Sequence, residues 1–337
     1  MKIGIAGGGV IGSMLAWRAG RGGAQVDVFE RNCATGCSPV AAGMLAVAGE
    51  AARAELAIGE LGSRSLPLWR QWLAELGLAD ALSERGTILV ALGRDRPELD
   101  RIAHRIANRL PAGVEPPRRL DASELAELEP DLAHLPAAWL LPGDAHLDAE
   151  RVLGALREAS RQSGVAWHEG EAVETVEPGR LVAGGRSYAC DWSCDCRGLG
   201  AGGRLRPVRG EIIHLHCDAV SISRPVRLVH PRQPVYIVPR AQGRYLVGAT
   251  EIESADTSEM SLRSALELLT AAYSLQPAFA EARIVAMRTG RRPAYPDNVP
   301  RLAAQKGLIS INGMYRHGYM AGPALVAEAA GMMGLAS

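Results

Sequence analysis

The sequence predicts an α/β protein: a Rossmann-like βαβ domain assembled from separated segments, with a mainly antiparallel α+β domain inserted into it. Three observations carry this expectation. Residues 2–30 read as strand, glycine-rich turn, helix and strand. The middle of the chain alternates like antiparallel strands, and its end returns to strand, loop and helix. At 337 residues there is room for two interleaved domains with separate cores. The nucleotide-binding domain is expected at 1–85, 145–205 and 292–337, and the inserted, substrate-binding one at 86–144 and 206–291.

Taken in order, the apolar run 2–6 is a buried strand, 10–20 a helix, and 24–30 a strand ending on the acid Glu30. Residues 51–76 keep helical spacing, and Pro67 is expected to break or restart that helix. A short strand covers 86–92. Leu99, Ile102, Ile106 and Leu110 recur at helical spacing. Asp121 and Glu124 form a capping box for a helix that stops at Glu129-Pro130. Residues 148–163 are helical, followed by strands at 165–168, 172–176 and 187–196. A long strand at 206–216 precedes a hairpin, 235–240 with 244–250, turned by Ala241-Gln-Gly243. The amphipathic helix 261–275 carries Leu262, Leu266, Leu269 and Tyr273 on one face. A strand at 308–312 and a helix beginning near Pro323 complete the chain.

Composition narrows the function. The 37 basic and 37 acidic residues cancel, so no global field draws in nucleic acid or an anionic membrane. Lys2 and Lys306 are the only lysines, and neither sits in a context that suits Schiff-base chemistry. No run approaches the length of a membrane span, and cleavage of a signal peptide would destroy the glycine cluster, so a cytoplasmic location is the default expectation. Cys33, Cys37, Cys190, Cys194, Cys196 and Cys217 lack the C-x-x-C pairs of structural zinc or thioredoxin chemistry. Reduced thiols and no metal are expected.

Gly7-Gly8-Gly9-Val10-Ile11-Gly12 contains G-x-G-x-x-G. Gly7 permits the tight turn, Gly9 the approach of a pyrophosphate, and Gly12 close packing of helix on strand. The helix start offers free N–H groups and a positive dipole end to phosphate. Glu30 stands at the end of the next strand, where a carboxylate can accept from both ribose hydroxyls and would repel a 2′-phosphate. The turn by itself leaves FAD and NAD open.

Cys37-Ser-Pro-Val-Ala-Ala-Gly-Met44 is rich in small residues and can lie close to a flat ring system. With it the sequence resembles the D-amino-acid-oxidase-like flavoproteins, and within them the glycine oxidases of thiamine biosynthesis. The resemblance runs on through Leu128-Glu-Pro130, Gly143-Asp144, Val208-Arg-Gly210, Tyr236-Ile-Val-Pro-Arg240 and Val247-Gly-Ala-Thr250. It continues in Gly290-Arg-Arg-Pro293, Pro296-Asp297 and Gly313-Met-Tyr-Arg-His-Gly318. Each string is unspecific; their order and spacing together are specific.

The resemblance implies non-covalent FAD and oxidation of a small amino acid by O2, with glycine giving glyoxylate, ammonia and hydrogen peroxide. It implies that Arg292 grips the substrate carboxylate, that Tyr236 and Arg316 join it, and that Met44 lines the site beside the flavin. Cofactor contacts would come from Gly7, Gly9, Val10, Ile11, Gly12, Glu30, Arg31, Cys37, Ser38, Ala42, Gly43, Met44, Val173 and Gly198. The segment Met314, Tyr315, Arg316, His317, Gly318, Tyr319 and Met320 would add to them. The helix after Gly322-Pro323 would aim its positive end at the pyrimidine side of the flavin. Relatives that bind flavin covalently use a late cysteine, and none follows Cys217.

Three departures bear on substrate identity: Arg291 beside the anchor, Met314-Tyr315 and His317 within the late glycine loop, and Asp195-Cys-Arg-Gly-Leu-Gly200 at a strand end. An oxidase of a D-amino acid or of N-methylglycine is therefore the near alternative. More distant ones are a nicotinamide dehydrogenase and a non-catalytic flavin-binding redox module. A homo-oligomer stays open; nucleic acid and membrane are not expected partners.

Overall fold

A computed structural model of the chain describes residues 1–32, 36–230 and 234–335; Cys33 lies outside the described residues. Two sheets organise it. The first runs in the order Arg301–Gln305, Leu308–Asn312, Trp192–Asp195, Lys2–Ala6, Gln25–Glu30, Ala166–Glu169. Its neighbours are parallel except the first pair, which is antiparallel. Parallel strands are covered on both faces: Ile3, Ile5, Val26 and Val28 on one face pack against the helices, and Ala6 and Phe29 on the other meet Leu181 and Ala183.

The helices are α1 (Val10–Arg21), α2 (Val47–Ala51), α3 (Leu56–Glu75), α4 (Arg96–Ala107), α5 (Ala122–Leu128), α6 (Ala149–Gln162), α7 (Leu262–Leu275) and α8 (Gly318–Met332). Helices α1, α3, α6 and α8 share a core with the parallel sheet. At its centre the Trp72 ring meets Trp17 and Trp69 edge-on, with centroids 5.7 and 6.0 Å away. Among the described residues no helix is long and apolar enough to cross a membrane.

The second sheet is mainly antiparallel. It runs Ile252–Glu253, Arg206–His216, Arg244–Gly248, Val235–Pro239, Val226–Leu228, Thr87–Val90, Ala138–Leu141, Arg118–Leu120. Arg283–Ala294 pairs along almost the whole of Arg206–His216. Helix α7 packs on this sheet around Ile213, Leu215, Val247 and Leu268.

Four expectations need correction. Helix α3 continues through Pro67, because Trp69, Trp72 and Leu73 beyond it are buried in the same core as Ile58 before it. Residues 187–196 are two strands, not one. Arg186–Ala189 closes a small antiparallel sheet with Val173–Glu177 and Arg180–Ala183, and Trp192–Asp195 joins the parallel sheet. Between them the Asp191 carboxylate accepts from the Lys2 amide at 2.6 Å and tethers the corner.

Helix α7 turns its other face inward. Leu262, Leu266 and Tyr273 are exposed, while Ser264, Leu268, Ala272 and Leu275 are buried. Small Ser264 and Ala272 let the helix lie close to the sheet, and closeness outweighs side-chain size.

Helix α8 begins at Gly318, five residues before Pro323. Proline lacks the N–H that would bond the Tyr319 carbonyl one turn back. The Trp69 indole N–H from α3 donates to that carbonyl at 2.7 Å, and the Ala324 amide beyond it donates to Ser65 Oγ at 3.0 Å. The proline therefore sits inside a continuous helix. Trp69→Phe, which keeps a ring but loses this donor, should cost about 1–3 kcal/mol. The expected readout is a lower urea midpoint at unchanged slope; an unmoved midpoint would mean that the Tyr319 carbonyl has found another donor.

Candidate active site

Gly7 ends the first strand with φ +95°, a conformation that strains any residue with a Cβ, and its amide donates to the Phe29 carbonyl at 2.8 Å. A Cβ on Gly12 would collide with the Gly7 carbonyl, so that glycine sets how closely α1 follows the strand. The N-cap residue of α1, Gly9, has no side chain to cap it, and Ser38 Oγ accepts from the Val10 amide at 3.0 Å. The Glu30 carboxylate accepts from the amides of Gly8 at 2.6 Å and Asn32 at 2.9 Å. Arg157 of α6 steadies the turn by donating to the Gly8 carbonyl at 2.7 Å.

From this turn a cavity of about 440 Å³ reaches the floor of the nine-stranded sheet. Glu30, Arg31 and Val173 line its outer end. Gly7, Gly9, Val10, Ile11, Cys37 and Ser38 line the middle, followed by Ala42, Gly43 and Met44. Gly198 and the whole run Met314–Met320 face it from the side of α8, and Tyr236 and Arg292 close the far end. Of the residues the sequence pointed to, Gly12 alone is not in its lining; it lies behind the turn.

The far end rests on glycine clearances. Tyr236 pairs across the sheet with Arg227 on one side and Gly248 on the other. Its ring lies over Gly248, where a Cβ would be 3.0 Å from the ring. The Arg292 guanidinium lies over Gly210 and would clash with a Cβ there. Arg292 Nη1 donates to the Thr250 carbonyl at 3.1 Å, and Thr250 Oγ1 in turn donates to Glu211 at 2.9 Å. Arg209 holds Glu211 through two bonds of 2.7 and 3.0 Å. No carboxylate among the described residues pairs with Arg292. Strand alternation separates the adjacent Arg291 from it, and the Arg291 guanidinium reaches the Ala255 carbonyl at 3.4 Å.

Arg316 is neutralised. It donates to Glu50 Oε2 through Nε at 2.9 Å and Nη2 at 2.6 Å, and to Glu251 at 2.9 Å. Arg227 reaches the other Glu50 oxygen at 3.2 Å. Burial pushes the Glu50 carboxyl up, but Arg316 and Arg227 outweigh it and hold it well below the usual carboxylate range. Burial brings His317 down to about 4, so its ring is neutral at pH 7. Burial raises the Tyr236 hydroxyl against the pull of Arg292, Arg227 and Arg316, and it stays protonated. The Cys37 thiol is likewise pushed up by burial, which argues against a nucleophilic role.

Glu50, Arg227, Glu211 and Glu251 join the cavity without having been expected there. Glu50 left one trace, as the single charge in the otherwise uncharged run 40–52. Arg227, Glu211 and Glu251 left none, since each becomes a cavity residue only through strand pairing.

The cavity suits an extended dinucleotide. Beyond the Val10 amide that Ser38 takes, the start of α1 offers amides to a pyrophosphate, Glu30 lies where ribose hydroxyls would meet a carboxylate, and the start of α8, without a side-chain cap, also lines the cavity. These features fit FAD.

Residues 2–331 match the family described as DAO, FAD dependent oxidoreductase. The chain is 40% identical to a Rhizobium etli protein named thiamine biosynthesis oxidoreductase ThiO, over 98% of this chain and 95% of that one. It is 30% identical to a glycine oxidase of Geobacillus kaustophilus over 95% of this chain and 89% of the relative. The crystal structure of a G. kaustophilus glycine oxidase superposes with a TM-score of 0.84 at 26% identity, covering 99% and 95% of the two chains. Iminodiacetate oxidase from Chelativorans sp. BNC1 superposes with a TM-score of 0.86 at 25% identity, covering 99% and 96%.

Glu50→Gln should leave two arginines sharing no carboxylate and cost about 3 kcal/mol at pH 7. A depressed carboxyl stabilises the fold above the unfolded glutamate value of about 4.3, and that stability is lost as pH falls below it. Denaturation at pH 7 and pH 3 should therefore show a wide gap between wild type and variant that narrows in acid. A gap independent of pH would contradict the ion-pair account.

Proposed function

Because this chain belongs to the FAD dependent oxidoreductase family, we propose that it oxidises a small amino acid, glycine foremost, to a 2-oxo acid, ammonia and hydrogen peroxide, with O2 as acceptor and in the service of thiamine biosynthesis. One observation carries the substrate class. Arg292 is fixed by a single carbonyl at the end of the cavity, beside a protonated tyrosine, with no carboxylate among the described residues to neutralise it. The names of the relatives, a thiamine biosynthesis oxidoreductase and a glycine oxidase, support the same reading.

FAD, when bound, supplies the two-electron acceptor for the substrate Cα–H bond. The protein's part is placement. Arg292 presents a planar fork to the substrate carboxylate, and Tyr236 donates its hydroxyl to the same group. Orientation of this kind can supply on the order of 7–11 kcal/mol of a barrier. Around this end Glu50 and Glu251 take up Arg316 and Arg227, while Arg292 meets no carboxylate among the described residues. That arrangement suits an amino acid with an ionised carboxylate and a neutral amine, the form able to release hydride. A dedicated base is then not needed, in keeping with His317, which burial makes a weak proton acceptor.

The cofactor is held without a covalent bond in this reading, since Cys37 keeps its proton. Segments 1–85, 145–205 and 292–337 serve the cofactor, and 86–144 with 206–291 serve the substrate. The same reading places the protein in the cytoplasm and allows a homo-oligomer. A panel of glycine, N-methylglycine and D-amino acids with peroxide detection tests it; no peroxide from any of them would leave a redox module in its place.

Arg292→Ala should raise KM for the amino acid about 100-fold, the loss of roughly 2.7 kcal/mol from a charge-assisted contact. The spectrum of bound flavin should stay unchanged. A wild-type KM in this variant would sink the anchor assignment.

A further inference from the structure

Behind the arginines lies a buried carboxylate that the proposed reaction does not use. Asp144 is 1% exposed. Its Oδ1 accepts from the amides of Ala48 at 2.8 Å and Gly49 at 3.1 Å, at the start of the segment that carries Glu50. Its Oδ2, like Thr87 Oγ1 and Arg227 Nη1 among the buried atoms near it, makes no hydrogen bond of good geometry among the described residues, although the Thr87 hydroxyl lies close enough to pull the Asp144 carboxyl down.

Backbone geometry brings the three together. Thr87 pairs across the sheet with Leu141, whose carbonyl accepts from the Asp144 amide at 3.3 Å, so the threonine stands beside the carboxylate. A Cβ on Gly49 would clash with Arg227 Nη1 and lie 2.9 Å from Asp144 Oδ2. The two atoms thus face each other across that glycine at most about 5 Å apart and without a direct bond, a separation that one bridging water can span. Arg227 Nη1 offers a donor, and Asp144 Oδ2 and Thr87 Oγ1 offer acceptors, which is the set of partners a buried water takes.

We propose that Asp144 is a positioning residue for the arginines of the cavity, acting through the Glu50 segment and through one buried water held by Asp144 Oδ2, Thr87 Oγ1 and Arg227 Nη1. The amide bonds fix where Glu50 stands, and Glu50 fixes Arg316. The water fixes the free side of Arg227, whose other side Glu50 already holds. Arg227 and Arg316, which stand beside Arg292 in the cavity wall, then take their positions from one carboxylate that never touches substrate. Burial pushes the Asp144 carboxyl up to about 6 against the pull of Arg227, and a donating water would bring it back down. The inference rests on reading this end of the cavity as the substrate site.

The test uses the FAD-loaded enzyme and two variants. Asp144→Asn can keep its amide contacts through the carbonyl oxygen but turns an N–H₂ toward Arg227. Thr87→Val removes one polar atom at nearly constant shape, and it stands if the asparagine variant fails to fold. Acetate serves as the carboxylate probe, titrated by the change it makes in flavin absorbance. Both variants should bind acetate about ten-fold more weakly, and KM should rise in step while kcat changes less than about two-fold. FAD affinity should hold, and density for the water should appear in wild-type crystals.

Unchanged acetate affinity in the folded variants overturns the proposal, as does a loss of FAD affinity in parallel with it. Wild-type crystals without that density overturn the water. Acetate binding needs no turnover, so a protein that binds acetate as expected but oxidises no amino acid would refute the proposed reaction and not this inference.

Discussion

The two halves of the protein are tied together where Glu50 lies between Arg316 and Arg227. Glu50 comes from α2, Arg227 from the floor of the antiparallel sheet, and Arg316 from the turn before α8. Buried like charges repel strongly in a medium that screens poorly, so two arginines could not share this space without an acid between them. The carboxylate settles which cations are spent. Arg316 is paired twice over and Arg227 once, and Arg292 pairs with no carboxylate among the described residues. The chemistry proposed for the cavity depends on that division.

A second constraint is clearance. Large polar side chains lie flat against the sheet only where the strand beneath has no Cβ. Gly210 makes room for the Arg292 guanidinium and Gly248 for the Tyr236 ring. Their strands are otherwise well filled, with Ile212, Ile213 and Val247 buried beside them. Helix α8 shows the complementary economy. Trp69 and Ser65 of a neighbouring helix supply and accept the hydrogen bonds that Pro323 disturbs, so a proline helix can run unbroken from the cavity into the core.

Much of the fold was legible in the chain itself. The nucleotide-binding turn, the capping box at Asp121, the long strand at 206–216 and the hairpin after it all depend on neighbours in sequence, and all form within a residue or two of their expected limits. The errors share one cause. Whether Pro67 and Pro323 break their helices, and which face of α7 turns inward, depends on what packs from elsewhere. Leu262 and Leu266 look like core residues and lie in solvent because Ser264 and Ala272 allow a closer approach.

The sequence by itself determined the glycine turn, Glu30 at the end of the second strand, and the ordered set of motifs that marks an FAD dependent oxidoreductase. Each is a local pattern whose geometry needs few distant partners. Only the tertiary structure decided that Glu50 pairs with Arg316 and Arg227 while Arg292 meets no carboxylate among the described residues. Arg316 and Glu50 are 266 positions apart, and Arg227 and Glu50 are 177 apart. A charge is neutralised by what stands within a few ångströms of it, and spacing along the chain carries no record of that distance.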